Sequence, residues 1–382
     1  MSNGNLQELV SAVNRFKKEL EKPFVGREEE ALVITFALVT SEHAILVGEP
    51  GTAKSAIARR AADLLRARFF KYLLTKYTEP DELLGPLDIA ALKEGRYVRI
   101  TRGKLPDAEI AFLDEIFNAS SAILNALLTL INERIIYDGY VEIPVPLWTL
   151  ISASNTVPEE QEYQALYDRF LLRHFVKPVS EDKWPMLLEA SWKIEREGYR
   201  APQPVLSIED LKTINSLILS VDVSRVKQQL VKLYAVLEDQ GVHLTDRRKG
   251  KALKVIAAHA FLNNRLVASE EDLFALKYVA AGTREEAEKV QVILLEELGT
   301  RERLLSELRE VEENIREAKA FIARVREFDP RLIEYLRGFE RAREKIRRIA
   351  ESATDEYVKK RALDLLVEVG NMVEDIKKRL LM

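Results

Sequence analysis

The sequence predicts an α/β fold in which a doubly wound parallel sheet is followed by an all-α domain and by a C-terminal helical domain. Up to about residue 180, short β-branched runs alternate with helical apolar patterns, which is typical of a parallel sheet. Strand signals vanish over residues 181–282, and apolar residues then recur at helical spacing over residues 283–382. We therefore expect three domains, at residues 1–180, 181–282 and 283–382.

Three buried strands are expected in the first domain. They are the continuous apolar runs at residues 43–47, 109–113 and 149–154. A helical pattern at residues 55–66 follows the first run, and another at residues 121–132 follows the second. This alternation predicts a three-layer sandwich with helices on both faces of the sheet.

Two polar hairpins interrupt the alternation. The first spans residues 88–102, with residues 97–100 as its returning strand. In the second, residues 135–137 and 140–143 flank Asp138-Gly139, a dipeptide that favours a tight hairpin turn. Taken alone, each hairpin is as compatible with surface decoration as with a functional insertion.

The second and third domains are expected to be helical. Residues 201–204 form a proline-rich loop, and Ser207 with Asp210 resembles a capped helix start. Beyond residue 300, three apolar seams with a period near 3.5 are separated by breaks at Asp329-Pro330 and at residues 352–355. We expect these helices to pack against one another in antiparallel fashion, and an oligomerising coiled coil is the alternative.

Composition excludes several classes of protein. The 382 residues are 47% apolar and 31% charged, with 58 basic against 62 acidic side chains and a net charge of −4. This balance argues against global disorder and makes nucleic acid an unlikely partner. The absence of cysteine excludes disulfides and thiolate sites. The longest apolar run, residues 31–40, is too short for a membrane span, so we expect a soluble cytoplasmic protein without a secretory leader.

A glycine-rich segment joins the first strand to its helix. It consists of Gly48, Glu49, Pro50, Gly51, Thr52, Ala53, Lys54 and Ser55. Its backbone N–H groups can surround phosphates, Lys54 can reach the β- and γ-phosphates, and the Ser55 hydroxyl can ligate Mg²⁺. Ala53 stands where glycine is usual, and we expect it to adopt helical φ and ψ as the first residue of the helix.

Polar residues follow the other two strands. Asp114 and Glu115 end the second strand, where one carboxylate can hold Mg²⁺ and the other can polarise an attacking water. A helix-capping turn is the structural alternative for this pair. Asn155 follows the third strand and can donate a hydrogen bond to the γ-phosphate or to water, although an asparagine there can also be a simple turn former.

Arginines complete the candidate site. Arg169 and Arg173 follow Asn155, and Arg247 and Arg248 begin a helix of the second domain. Each of them alone is most often a solvated surface side chain. Together, one arginine can reach its own nucleotide and another can reach the nucleotide of a neighbouring copy, an arrangement worth about 10³–10⁵ in rate.

These motifs resemble the MoxR family of AAA+ ATPases, and within it the RavA branch, over about residues 20–280. The glycine-rich segment matches that family's form of the loop, including alanine before lysine. The other similar segments are residues 82–86, 91–97, 112–116, 123–128, 131–134 (Ile-Asn-Glu-Arg), 153–155, 165–169 and 245–248.

The resemblance implies an AAA+ fold, with the Walker A motif at Lys54 and Ser55, Walker B at Asp114 and Glu115, and sensor 1 at Asn155. It implies an arginine finger at Arg169 or Arg173 and sensor 2 at Arg247 or Arg248. The implied contacts with ATP and Mg²⁺ are made by Val25, Gly26, Gly48, Glu49, Pro50, Gly51, Thr52, Ala53, Lys54, Ser55, Ala56, Asp114, Arg247 and Arg248, with Ser55 and Asp114 on the metal.

The resemblance also implies a hexameric, ATP-driven, chaperone-like remodeller of protein clients that works with a von Willebrand factor A (VWA) domain protein. The two hairpins then resemble the helix-2 and pre-sensor-1 inserts. The tail departs from the RavA pattern, since residues 299–382 leave no room for a β-rich inserted domain. A helicase-like DNA motor and an ATP-switched scaffold are the alternatives.

Overall fold

The structure, a computed structural model, describes residues 3–138, 141–298, 300–322, 331–352 and 356–380. Two compact units share the chain, Met1–Val290 and Gln291–Met382. The first contains the parallel sheet and the helices expected of the first two domains. The domain boundaries expected after residues 180 and 282 stay predictions.

The sheet of the first unit has five strands, all parallel, in the order β2-β3-β6-β1-β7. These strands are β1 (Ala44–Val47), β2 (Phe69–Leu73), β3 (Ile110–Asp114), β6 (Thr149–Ser154) and β7 (Leu172–Phe175). The three predicted strands are confirmed as β1, β3 and β6, whose central positions explain their continuous apolar sequences. The two edge strands were not predicted, because exposed Lys71 in β2 and the polar pair Arg173-His174 in β7 break the apolar pattern.

Helices cover the sheet and build the adjoining helical region. They are α1 (Asn3–Glu21), α2 (Glu28–Thr40), α3 (Lys54–Leu65), α4 (Pro80–Leu84), α5 (Ile89–Lys93), α6 (Ser121–Glu133), α7 (Gln161–Tyr167), α8 (Trp184–Glu197), α9 (Ile208–Leu219), α10 (Lys227–Asp239), α11 (Asp246–Leu262), α12 (Lys277–Ala280) and α13 (Arg284–Leu298), which contains the boundary between the units. The helices predicted at residues 55–66 and 121–132 are confirmed as α3 and α6.

The longest apolar run of the sequence is the buried face of α2. Ten residues of α2 are buried, because the helix packs on the sheet, on α1 and on the helical region. A helix that is apolar on all sides is expected in such a position. None of the helices in the described part of the chain combines the length and apolar content that a membrane span requires.

The two insertions differ in form. Strands β4 (Ile135–Asp138) and β5 (Val141–Pro144) pair antiparallel, which confirms the second hairpin, although its predicted turn residue Gly139 lies outside the described residues. The prediction of a strand at residues 97–100 of the first insertion is wrong. There, only an isolated bridge joins Leu87 to Arg99, and α5 fills the insertion, because the Asp88 carboxylate accepts hydrogen bonds from two backbone N–H groups and caps that helix.

The helical region after the sheet starts as the sequence predicts. Residues 201–204 are a loop, and Ser207 and Asp210 form a reciprocal capping box at the start of α9. Thr245 caps α11 by accepting a hydrogen bond from the N–H of Arg248. Glu42, buried at the end of α2, binds the ammonium groups of Lys251 and Lys254 and ties α11 to the core of the unit.

The second unit contains three long helices, α14 (Thr300–Ile322), α15 (Arg331–Ser352) and α16 (Glu356–Leu380). Their seams form one apolar core, as predicted, with fully buried Leu308, Ile346 and Val369 among its members. The ion pairs Glu312–Arg361 and Lys319–Glu368 each join a residue of α14 to a residue of α16. The two partners are the same number of residues apart in both pairs, so α14 and α16 run in the same direction. Parts of the predicted pattern lie outside the described residues. They are the break at Asp329-Pro330, residues 353–355, seam residue Val325 and the side chain of Ile322.

We expect Ile346→Ala to destabilise the second unit by about 2–5 kcal/mol, because it leaves a cavity among the three seams. Val367→Ala, at a position 65% exposed on α16, is the matched control and should change stability by less than about 0.5 kcal/mol. Urea unfolding of the full chain, followed by circular dichroism, measures both. Equal effects of the two substitutions would contradict the seam assignment.

Candidate nucleotide-binding and hydrolysis site

The candidate residues meet at the carboxyl edge of the parallel sheet. Strand β6 lies between β1 and β3, so Asn155, which follows β6, is placed between the loop after β1 and the acidic pair after β3. Crevices at the carboxyl ends of parallel strands are the usual ligand sites of open α/β sheets. The strand order therefore brings together three motifs, each of which is about 40 to 65 residues from the next in the sequence.

Close packing requires glycine at the start of the loop. A Cβ atom built on Gly48 would lie 2.8 Å from the backbone oxygen of Val176 and 2.9 Å from its Cβ. Gly48 can therefore pair with the neighbouring strands, and its N–H donates to the oxygen of Ser154 at 2.9 Å. Gly51 has a φ of +80°, which glycine adopts without strain.

Ala53 does not have the helical conformation that we expected of it. Its φ is +63° and its ψ is +15°, in the left-handed region, and α3 begins one residue later, at Lys54. The expectation was wrong because the chain must reverse here before the first helical turn. Left-handed alanine costs roughly 1–2 kcal/mol, which accounts for the usual glycine at this position.

Lys54 bends back onto the loop that precedes it. Its Nζ donates to the backbone oxygens of Gly48 at 2.6 Å and Glu49 at 2.7 Å, and the residue is only 8% exposed. Burial lowers the pKa of the Lys54 ammonium, and the negative charges of Asp114 and Glu115 partly oppose that shift. A phosphate at this loop would supply the anionic partner that the buried cation needs.

Glu115 and Asn155 are in direct contact. The Asn155 Nδ2 donates to Glu115 Oε1 at 2.6 Å, which fixes the carboxylate at the edge of the sheet. Glu115 has a φ of +53°, and its N–H donates to Asp114 Oδ1 at 3.2 Å. A glutamate in the left-handed region is strained, and such strain clusters at functional sites.

The oxygen donors suit a magnesium ion. The Ser55 hydroxyl, in the first turn of α3, and the Asp114 carboxylate, at the end of β3, are both half-buried. Mg²⁺ prefers a few hard oxygen ligands and retains several waters, so one hydroxyl and one carboxylate beside phosphates fit it.

Val25 and Gly26 lie in the turn before α2, half-buried, with Gly26 at a φ of +70°. The next residue, Arg27, is buried and donates to Glu30 Oε1 at 3.1 Å and to the oxygen of Lys177 at 2.7 Å. Its charge opposes protonation of Lys54. Arg27 belongs to the segment at residues 25–28 that resembles the family's N-terminal adenine-side segment, but no separate role was predicted for it.

A cavity of about 840 Å³ adjoins the loop. Its lining includes Ser55 and Ala56 of α3, Phe24 of the N-terminal turn, and Ile194 and Tyr199 from the segment around α8. Its mixture of aromatic, aliphatic and basic side chains is compatible with a nucleotide base and ribose.

Arg169 and Arg247 lie side by side. The Arg169 Nε donates to Asn132 Oδ1 at 3.2 Å, and an Arg247 terminal N–H donates to the same oxygen at 2.8 Å. Burial and then the charge of Arg247 lower the pKa of the Arg169 guanidinium. The two arginines that we expected to serve different nucleotides therefore share one acceptor.

Arg173 and Arg248 are engaged inside the protein. Arg173, 5% exposed, donates to the oxygens of Phe170 and Tyr167, with its guanidinium 3.8 Å from the Tyr167 ring centre. Arg248, 3% exposed, donates to the oxygens of Val279 and Ala281. Burial, with the charge of Arg173, lowers the pKa of Arg248 to about 9. Arg169 is therefore more accessible than Arg173, and Arg247 is more accessible than Arg248.

We expect Ala53→Gly to raise the stability of the first unit by up to about 1 kcal/mol, because glycine relieves the left-handed conformation. Ala235→Gly, at an exposed position inside α10, is the matched control and should lower stability by about 1 kcal/mol. Thermal unfolding of the full chain compares the two. If both substitutions destabilise equally, the left-handed assignment of Ala53 is wrong.

Comparison with known proteins agrees with this geometry. A family model described as the MoxR domain of MoxR-vWA-beta-propeller ternary systems matches residues 11–216, and a model of an AAA lid domain matches residues 222–294. An uncharacterized protein of Methanocaldococcus jannaschii is 40% identical over 73% of this chain and 74% of its own length. The chaperone MoxR1 of Mycobacterium tuberculosis is 26% identical over 56% of this chain and 57% of its own length.

A solved structure shows the same fold. It is a candidate ATPase from Cytophaga hutchinsonii, which superposes with a TM-score of 0.63 at 20% identity and covers 76% of this chain and 95% of its own. The MoxR model alone spans more than half of the sequence. The chain therefore belongs to the MoxR family of AAA+ ATPases.

Proposed function

We propose that this protein hydrolyses Mg-ATP and uses the energy as an oligomeric, chaperone-like remodeller of protein clients. The observation that carries the proposal is the hydrogen bond between Asn155 and Glu115 at the edge of the sheet that also holds Lys54 and Asp114. A carboxylate oriented in this way has the role of a base, which a nucleotide-switched scaffold does not need.

Each polar residue has a separate task in this proposal. Lys54 exchanges its two loop carbonyl partners for phosphate oxygens, and the N–H groups of the loop and of the start of α3 bind the same phosphates. Glu115 orients the attacking water and accepts its proton, while Asn155 fixes the carboxylate. Ser55 and Asp114 would hold Mg²⁺, which supplies charge neutralisation on the phosphates when bound.

The nucleotide base would occupy the cavity beside α3. Phe24, Ile194 and Tyr199 offer apolar and aromatic surface there, and Ser55 connects the cavity to the phosphate loop. Val25 and Gly26 immediately follow Phe24 in the sequence, and we propose that they lie at the border of the same cavity. Basic side chains, among them Arg59 and Lys71, also line the cavity and would favour an anionic ligand.

We assign the arginine finger to Arg169 and sensor 2 to Arg247, because Arg173 and Arg248 are bound by backbone carbonyls inside the protein. Since Arg169 and Arg247 share one acceptor, we propose that both address the nucleotide of a neighbouring copy. Hydrolysis would then require assembly, for which a hexameric ring is our proposal from the family.

The insertions offer surfaces for protein partners. Exposed apolar side chains lie on both of them, including Ile89, Leu92, Tyr97, Tyr137 and Val141. The name of the matching family model mentions vWA and beta-propeller components, and we propose a VWA-domain protein as the partner of this chain. The net charge of −4 supports protein clients over nucleic acid.

Glu115→Gln should preserve ATP binding within a few-fold and lower steady-state hydrolysis by about 10²–10⁴, since it removes the base but keeps the hydrogen-bonding shape. Phosphate release and equilibrium binding of ATP measure the two effects. Glu270→Gln, an exposed change in the helical region, is the control and should leave both unchanged. Turnover of the Glu115→Gln protein at the wild-type rate would refute the assignment of the base.

Arg169→Ala should nearly abolish hydrolysis, with a loss of about 10³ or more if the arginine acts as a finger. Lys54→Ala should also be inactive, because it lacks the phosphate-binding ammonium. Mixed assemblies should regain activity, since a Lys54→Ala copy supplies the intact arginine to an Arg169→Ala copy. Phosphate release at varied mixing ratios tests this, with assembly checked by light scattering; no recovery in assembled mixtures would count against action between copies.

A further inference from the structure

Asn132 occupies a position that the site described above does not explain. It lies at the carboxyl end of α6, in the Ile-Asn-Glu-Arg segment at residues 131–134, and its side chain is exposed. Its Oδ1 accepts hydrogen bonds from Arg169 at 3.2 Å and from Arg247 at 2.8 Å. One carbonyl oxygen thus joins two arginines that come from separate parts of the chain.

The two guanidinium groups would not stay together without such an acceptor. Arg169 follows α7, whereas Arg247 belongs to the first turn of α11, and both carry positive charge. Burial, and then the positive charge of Arg247, lower the pKa of the Arg169 guanidinium, and the charge of Asp168 partly opposes that shift. The Thr245 hydroxyl donates to Asp168 Oδ1 at 2.9 Å and brings the two segments into register beside Asn132.

The acceptor, the amide oxygen of Asn132, carries no net charge, so it does not neutralise the arginines that would bind an anion. A carboxylate at residue 132 would form ion pairs with both arginines and cancel part of their charge. An amide oxygen satisfies one donor of each guanidinium and leaves the net charge of the pair intact. A guanidinium has five N–H donors, so others remain for phosphate oxygens.

The end of α6 is a rigid support for this acceptor. The adjacent Ile131 is buried, and its backbone oxygen is 3.2 Å from the Nε2 of buried His43, which precedes β1. Arg134 closes the helix in the left-handed conformation and donates to the oxygens of Leu147 at 2.7 Å and Ser41 at 3.1 Å. Asn132 therefore lies between two residues, Ile131 and Arg134, that are hydrogen-bonded to the segments that flank the sheet.

We infer that Asn132 is a positioning residue that presents Arg169 and Arg247 as one anion-binding pair for the terminal phosphate of a nucleotide held by a neighbouring copy. The inference rests on the proposed function. It adds a residue that contacts neither substrate nor metal but aligns the two groups that do.

The test compares Asn132→Ala with the isosteric Asn132→Asp in the full-length protein. Both should lower kcat by roughly 10–100-fold, since the first releases the arginines and the second cancels their charge, while KM for ATP stays within about three-fold. Gln228→Ala removes an exposed amide from α10 and should leave kcat unchanged. Light scattering verifies that every variant assembles.

Two further measurements separate positioning from a loss of folding. Copies carrying Lys54→Ala should rescue Asn132→Ala in mixed assemblies, because the defect concerns the neighbour's nucleotide and not its own. Asn132→Ala should cause no further loss when it is added to an Arg169→Ala/Arg247→Ala protein, as expected when Asn132 acts only through these two arginines.

The outcomes distinguish this inference from the function on which it rests. If Arg169→Ala keeps wild-type turnover, both the arginine finger and the role of Asn132 are wrong. If Arg169→Ala is impaired while Asn132→Ala retains its kcat, the proposed function stands and only the inference is overturned. Failure of assembled Lys54→Ala copies to rescue Asn132→Ala also overturns it, since the defect would then lie within one copy.

Discussion

The parallel pairing of β6 between β1 and β3 is the constraint on which the site depends. Parallel strands end at the same edge, so the three segments that follow these strands converge whatever their distance along the chain. The contact between Asn155 and Glu115 is a direct result of that strand order. Gly48 supports the arrangement on the other side of β1, where the backbone of Val176 approaches too closely for a side chain.

A second set of contacts joins the sheet to the helical region within the first unit. The Tyr167 hydroxyl donates to the oxygen of Gly282 at 2.6 Å, and buried Arg173 lies beside both Tyr167 and Asp168. Burying a guanidinium is expensive unless its N–H groups are paired, and for Arg173 backbone carbonyls provide most of that pairing. The loss of one of these partners would leave a buried charge unpaired, so the cluster favours the observed packing of the helices on the sheet.

Sequence patterns predicted the parts of this protein that are governed by local rules. Continuous apolar runs identified the central strands, and the glycine-rich segment identified the loop before Lys54. The edge strand β7 was not predicted because the polar pair Arg173-His174 interrupts its apolar pattern, although Arg173 is buried in the structure. The contact of Asn132 with two arginines was not predicted either, since nothing at residues 131–134 reveals that Arg247 will be adjacent.

Backbone strain distinguishes the site from the rest of the described chain. Six non-glycine residues there have positive φ. Three of them directly follow helices and Asn264 is the second residue after α11, positions where a left-handed residue is common. Ala53 instead precedes α3, at the glycine-rich loop, and Glu115 precedes a short 3₁₀ helix, Ile116–Asn118, at the acidic pair. Such conformations persist only where surrounding contacts over-determine them. The strand order fixes the segments before both residues, and the helices that follow fix the segments after them, so the strain falls on two residues at the carboxyl edge of the sheet.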